Sequence, residues 1–137
     1  MERTLAIIKP DAVEGRCIGS VVARIESEGF RVCAMRLLRL TKNDASIFYA
    51  VHKEKPFFSD LISFMCSGPV VVLALEAPNA INRWRQVMGN TDPGKAASES
   101  LRREFGASIE RNATHGSDAV ETAASELAFF FRGTELS

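Results

Sequence analysis

Two short, almost uninterrupted apolar runs constrain this fold more than any other feature: Thr4-Leu5-Ala6-Ile7-Ile8 and Val70 to Leu75. A strand that is apolar without alternation belongs in the middle of a sheet, so each run is predicted to be a central strand. Lys9-Pro10-Asp11 ends the first, because proline cannot donate to a ladder, and the turn Ser67-Gly68-Pro69 precedes the second. A chain of 137 residues with 46% hydrophobic content can bury such strands in the core of one domain spanning 1–137.

The remaining segments alternate between helix and strand patterns. Gly15 to Gly19 reads as a loop, with Ser20 or a neighbour capping a helix that runs through Glu28 and turns its Ile18, Val21, Val22 and Ile25 face inward. Gly29 suits the position after its end. Phe30 to Thr41 is predicted to be a strand with Val32, Ala34, Leu38 and Leu40 on one face; Arg36 interrupts that face and marks an edge or a bend. Thr41-Lys42-Asn43-Asp44 has the form of a capping box opening a helix with Ile47, Phe48 and Val51 inward. A second helix ends at Met65 and carries two stripes, Phe58, Leu61, Ile62, Met65 and Phe57, Leu61, Phe64. Asn79 is expected to cap a helix with Ile81, Trp84 and Met88 inward, and a short helix follows from Ser98 to Phe105. A fourth strand near Ala113-Thr114 has no periodic signature and is placed by topology. Together these elements give an α+β, ferredoxin-like βαββαβ antiparallel sheet with an inserted helix pair and a C-terminal helix.

Seventeen basic residues balance seventeen acidic ones, so no global field recruits nucleic acid or an anionic membrane; affinity for phosphate must come from local placement. Exposed aromatics on a strand beside glycines, with a basic face, would point to an RNA-binding module, and neither feature is present. The odd number of cysteines (Cys17, Cys33, Cys66), without CxxC spacing, suggests reduced thiols and a cytoplasmic location. The apolar start is too short for a signal peptide or a membrane span.

One stretch carries chemistry: Asn112-Ala113-Thr114-His115-Gly116-Ser117-Asp118. It places a histidine just before a helix, where Ser117 can act as N-cap and free amides favour an anion. Gly116 lets the backbone come close to a ligand. Histidine is the residue type whose neutral, nucleophilic form is plentiful near neutral pH. A loop histidine ahead of a capped helix is the plainer alternative. Other positions are equally two-sided. Lys9, at the mouth of a buried strand, suits a snorkelling rim residue or a phosphate ligand. Arg85, beside Ile81 on its helix, either snorkels or reaches into a site, whereas Arg83 points outward. Phe57 is the aromatic its helix can best spare for a ligand, with core packing the alternative. Tyr49 and His52, three apart, are neighbours; a hydrogen-bonded structural role suits His52 best.

Read together, the stretches Glu2 to Val13, Tyr49-Ala50-Val51-His52, Lys55-Pro56-Phe57-Phe58 and Asn112 to Asp118 resemble nucleoside diphosphate kinases, and the resemblance covers essentially all of 1–137. It implies ping-pong transfer of a γ-phosphate from a nucleoside triphosphate to a nucleoside diphosphate, ribo or deoxyribo, balancing the nucleotide pools. His115 would be the nucleophile that becomes a phosphohistidine, with Glu126 orienting it and fixing its tautomer. Lys9, Arg85, Thr91 and Arg102 match phosphate ligands and Asn112 the sugar-hydroxyl ligand. Phe57 would stack on the base with Ile109 on its other face. Mg2+ would be held mainly by the nucleotide phosphates, with Asp118 the nearest carboxylate. A nucleotide-binding module without catalysis would need no His115. The resemblance also implies a homo-oligomer, with the short polar tail after Phe131 favouring a tetramer over a hexamer, and no membrane or specific nucleic-acid partner. One departure stands out: Glu99-Ser100 occupies the place where the family commonly has Gly-Thr, before Leu101-Arg102.

Overall fold

The computed structural model describes all residues, Met1–Ser137. Four strands, β1 (Glu2–Ile8), β2 (Arg31–Leu38), β3 (Val70–Ala77) and β4 (Thr114–Gly116), form one antiparallel sheet in the order β2-β3-β1-β4. The helices are α1 (Pro10–Glu14), α2 (Ile18–Ser27), α3 (Lys42–Phe48), α4 (Phe58–Met65), α5 (Ala80–Met88), α6 (Leu101–Phe105) and α7 (Val120–Phe130). The order is βαββαβ with α3 and α4 inserted between β2 and β3 and α7 added at the end, as the sequence predicts.

Both faces of the central strands are covered, which is why they read as apolar runs. Ala6 and Ile8 of β1 and Val71, Leu73 and Leu75 of β3 pack with Val21 and Ile25 of α2 and Trp84 and Met88 of α5. The alternate residues Leu5, Ile7, Val70, Val72 and Ala74 pack on the opposite side with Ile62, Phe64 and Met65 of α4 and Leu127 and Phe130 of α7. Alternation is present in the backbone but erased in the sequence, since either side of the sheet is dry.

The structure corrects several local expectations. A register shift between Val32 and Ala34 splits the expected face of β2: Val32 packs toward α2, whereas Cys33, Ala34, Leu38 and Leu40 go to the other core. β2 is an edge strand, as Arg36 suggested, but its irregularity sits at Cys33. The capping box of Thr41 and Asp44 opens α3 and Phe48 packs inward as expected, yet Ile47 and, past the helix end, Val51 are exposed (56% and 84%), and Ala45 and Tyr49 join Phe48 at the core. Pro10 does more than stop β1, because its fixed φ suits the first turn of α1. Helix α2 begins at Ile18, ahead of Ser20, which does not cap it.

Two other caps come from elsewhere in the chain. Asn79 sits at φ 55° with no capping bond, and the Glu2 carboxylate accepts from the Ile81 amide in its place. Ser117 does not cap α7: the helix starts three residues later, where the Thr122 hydroxyl accepts from Ala119 N–H. Ser100 does cap α6, its Oγ accepting from Arg103 N–H and donating to the Ala97 carbonyl, so the Glu99-Ser100 departure supplies a working helix start.

Candidate active site

His115 lies in β4 rather than in a loop, paired across the ladder with Ile7 of β1. Its carbonyl accepts from Trp84 Nε1 at 3.1 Å, tying the strand to α5. Gly116 makes that contact possible, because a Cβ there would stand 2.5 Å from Trp84 Cδ1 and 2.6 Å from Met88 Cε. The glycine therefore serves packing against the indole. The imidazole is braced on its other side by the edges of Phe48 and Tyr49, with ring centroids 5.5 and 6.3 Å away.

Nε2 of His115 is 3.0 Å from Glu126 Oε1, and Ser117 Oγ donates to the same oxygen at 2.7 Å. Ser117 Oγ in turn accepts from Leu5 N–H at 3.2 Å, which anchors the chain Ser117–Glu126–His115 to the central strand. A carboxylate accepting from Nε2–H leaves Nδ1 as the ring nitrogen with a free lone pair. The hydroxyl read as a helix cap is thus a brace for the glutamate.

The cations converge under this strand. Lys9 is buried at the end of β1 and donates from Nζ to Asn112 Oδ1 at 2.8 Å. Asn112, also buried, donates from Nδ2 to the Thr91 carbonyl at 3.1 Å, so its amide is largely engaged by protein. Arg102 is buried on α6 and donates to the carbonyls of Gly89 (3.0 Å) and Thr114 (2.9 Å), while its Nε is shielded and unpartnered. Burial and the charge on Arg85 lower the Arg102 pKa to about 10, which leaves it cationic at neutral pH. Burial, reinforced by Arg102, lowers Lys9 from 10.5 to about 8. Crowding two cations into a dry site is costly unless an anion joins them.

That shift sets a pH dependence. Above pH ~8 the free site increasingly holds neutral Lys9, and a polyphosphate must draw in a proton to bind the ammonium form. Affinity for a nucleotide is expected to fall as pH rises through about 8, by at most about tenfold per pH unit, with Lys9→Met abolishing that slope in calorimetric titrations. The stability contribution has the opposite sign. A lysine whose folded pKa lies below its unfolded one destabilises the fold while charged in both states, and that cost fades between pH ~8 and 10.5.

Lys9, Phe57, Thr91, Arg102, Ile109, Asn112, His115 and Asp118 line one cleft of about 490 Å³. Arg85 lines an adjoining cleft of about 660 Å³ that shares Thr91 and Arg102, and Glu126 stands behind His115. Phe57 and Ile109 are exposed at the mouth (48% and 62%). Arg83 does not point freely outward: its guanidinium lies 4.9 Å over the Phe30 ring and donates to the Glu28 carbonyl.

The cleft also contains Tyr49, His52, Leu61 and Glu110, which sequence reasoning did not assign to the site. The Tyr49–His52 spacing was the available signal, and their rings stack at 6.5 Å. A hydrogen-bonded structural role for His52 is not found, since its Nδ1 is shielded without a partner. No three His, Cys, Asp or Glu side chains cluster to hold a metal ion, and no helix is long and apolar enough to cross a membrane.

The family model described as nucleoside diphosphate kinase matches residues 2–136. The chain belongs to the nucleoside diphosphate kinase family. Among its relatives, the nucleoside diphosphate kinases of Syntrophotalea carbinolica and Geobacter sulfurreducens are 57% and 54% identical over 99% of both chains. The nucleoside diphosphate kinase of Aquifex aeolicus has a crystal structure that superposes with a TM-score of 0.97 at 45% identity, over 99% of each chain. A halophilic nucleoside diphosphate kinase from Halobacterium salinarum, solved in complex with CDP, matches with a TM-score of 0.96 at 38% identity, covering 99% of this chain and 91% of that one. Nucleoside diphosphate kinases are phosphotransferases that need a divalent cation, so the reaction class of this enzyme is nucleotide phosphate transfer.

Proposed function

We propose that this kinase transfers the γ-phosphate of a nucleoside triphosphate to a nucleoside diphosphate in two half-reactions through a phosphohistidine on His115, with residues 1–137 acting as one domain. The observation that carries this reading is the Glu126 carboxylate on Nε2, which leaves Nδ1 free in a cleft floored by Lys9 and Arg102. In the first half-reaction Nδ1 attacks the γ-phosphorus; a P–N bond forms as the bond to the β,γ-bridging oxygen breaks, and the diphosphate leaves with that electron pair. In the second, a terminal oxygen of the acceptor diphosphate attacks the same phosphorus and the P–N bond breaks. Glu126 stabilises the positive charge that develops on the imidazole.

Lys9, Arg85, Thr91 and Arg102 would hold the phosphates, which suits a reaction governed by positioning and charge neutralisation. Asn112 would face the sugar with the amide capacity that Lys9 and Thr91 leave over. Asp118, exposed at the cleft with one oxygen occupied by Thr122, would be the nearest carboxylate to a phosphate-bound Mg2+, which would neutralise developing charge. With no three-ligand cluster in the chain, such an ion would arrive with the nucleotide. The three cysteines without CxxC spacing fit a cytoplasmic location, and the family resemblance, with the short polar tail after Phe131, supports a homo-oligomer, most simply a tetramer.

Ping-pong kinetics test the two-step reading. Initial rates of ATP with a different diphosphate acceptor are expected to give parallel double-reciprocal lines, and intersecting lines would overturn it.

Base stacking on Phe57 would let every base bind, because a ring face reads no hydrogen-bonding edge. Phe57→Ala is expected to weaken ATP, GTP, CTP and UTP alike, by about 1–3 kcal/mol. The half-exposed ring contributes little to the core, so the stability loss should be far smaller than the ~3–5 kcal/mol typical of a buried phenylalanine, with a correspondingly small drop in melting temperature. Affinities for all four nucleotides and a thermal melt check both halves.

A further inference from the structure

Ala113 is held at φ 74°, a left-handed conformation that residues with a Cβ rarely adopt. Across it the Thr114 amide donates to the Asn112 carbonyl at 2.9 Å, closing a three-residue turn of the strained hand. This turn separates the amide of Asn112, which receives the Lys9 ammonium, from the strand that carries His115.

The segment leaving β1 grips the strained residue from both sides. Lys9 N–H donates to the Ala113 carbonyl at 2.8 Å, and Asp11 Oδ2 accepts from Ala113 N–H at 3.1 Å. The second oxygen of Asp11 is shielded and unpartnered, and burial raises the carboxyl's pKa. Asp11 does not line the cleft, and phosphoryl transfer gives it no direct part. Even with the first-turn amides of α1 nearby, burial leaves this carboxylate a costly acceptor for Ala113 N–H, unless that bond holds something the backbone would otherwise release.

We propose that Asp11 is a positioning residue: its carboxylate clamps Ala113 in the strained turn and so sets Asn112 toward the sugar and the Lys9 ammonium bonded to it toward the phosphates. This rests on the reading of His115 as the phosphoryl acceptor. His115 itself is fixed independently by its ladder with Ile7, by Trp84 and by Glu126, so releasing the clamp displaces Asn112 and Lys9 while the imidazole stays in place.

Asp11→Ala is expected to slow phosphorylation of His115 by ATP about tenfold to a hundredfold, the scale of a displacement of roughly 1 Å in a catalytic group. Asp11→Asn keeps an acceptor for Ala113 N–H and should recover most of that loss. Ala113→Gly placed in the Asp11→Ala background should also recover part of it, because glycine takes positive φ without a clamp. A role confined to general stability would lower melting temperature without any rescue by glycine.

Single-turnover rates and melts of wild type, both Asp11 variants and the double variant decide the matter. Equal rates for Asp11→Ala and wild type would overturn the proposal, as would Asp11→Asn falling as far as Asp11→Ala. If Asp11→Ala does not fold, Asp11→Asn and the double variant carry the test, and a folded double variant below a hundredth of the wild-type rate would overturn it. Wild-type enzyme turning over without phosphohistidine would bring down the His115 reading itself, whereas normal labelling of wild type and Asp11→Ala alike removes only the clamp.

Discussion

His115→Ala is expected to lower nucleotide turnover by on the order of 10⁴–10⁶-fold, the scale of losing a covalent nucleophile. The fold should survive. The imidazole contributes one side-chain hydrogen bond, and Glu126 keeps its bond from Ser117 when the histidine is gone. A net hydrogen bond is worth about 0.5–1.5 kcal/mol, so the melting temperature should move by only a few degrees. His52→Ala is the control within the same cleft: it also deletes an imidazole with an unpartnered nitrogen, yet it should leave the phosphoryl acceptor intact. Coupled turnover assays and thermal melts on both variants check the expectation.

Arg102→Ala is the second large loss, and it differs in kind because this side chain serves substrate and fold at once. The buried guanidinium ties the Gly89 carbonyl to the Thr114 carbonyl, joining the end of α5 to β4. Removing one partner of a desolvated charge contact costs about 2–5 kcal/mol, so kcat/KM should fall by roughly 30- to 4,000-fold. Stability should fall with it, since two carbonyls lose a charged donor. The neighbouring arginines separate the two effects. Arg85 is exposed along the adjoining cleft, so Arg85→Ala should reduce kcat/KM with little change in melting. Arg83 packs over Phe30 and caps the Glu28 carbonyl, so Arg83→Ala should lower the melting temperature and leave kcat/KM near wild type.

The elements legible in the sequence are those whose signal is local. Continuous apolar runs gave away β1 and β3, and the Thr41–Asp44 capping box marked the start of α3. Strand β4 was legible only through topology, because three residues carry no period. Helix α1 was missed because Lys9-Pro10-Asp11 carries the signals of a strand ending, which a proline at a first helical position shares. Ser117 and Asn79 looked like caps, but tertiary partners took over: Glu126 receives the Ser117 hydroxyl, and Glu2 satisfies the α5 amide. The site followed the same division. The residue types around His115 were readable from the motif, whereas the burial of Lys9 and Arg102, the bracing by Phe48, and the clamp on Ala113 depend on contacts across the fold that no sequence spacing encodes.

In the proposed reaction the phosphoryl group rests on His115 between the two nucleotides. It is tested most directly by mixing the enzyme with ATP and magnesium without an acceptor, quenching rapidly, and mapping the phosphate by peptide mass under basic conditions. One acid-labile, base-stable phosphoryl group per chain is expected on His115, discharged on adding a nucleoside diphosphate. Full turnover with no phosphoenzyme at any quench time, or a phosphate on another residue that persists in His115→Ala, would contradict it.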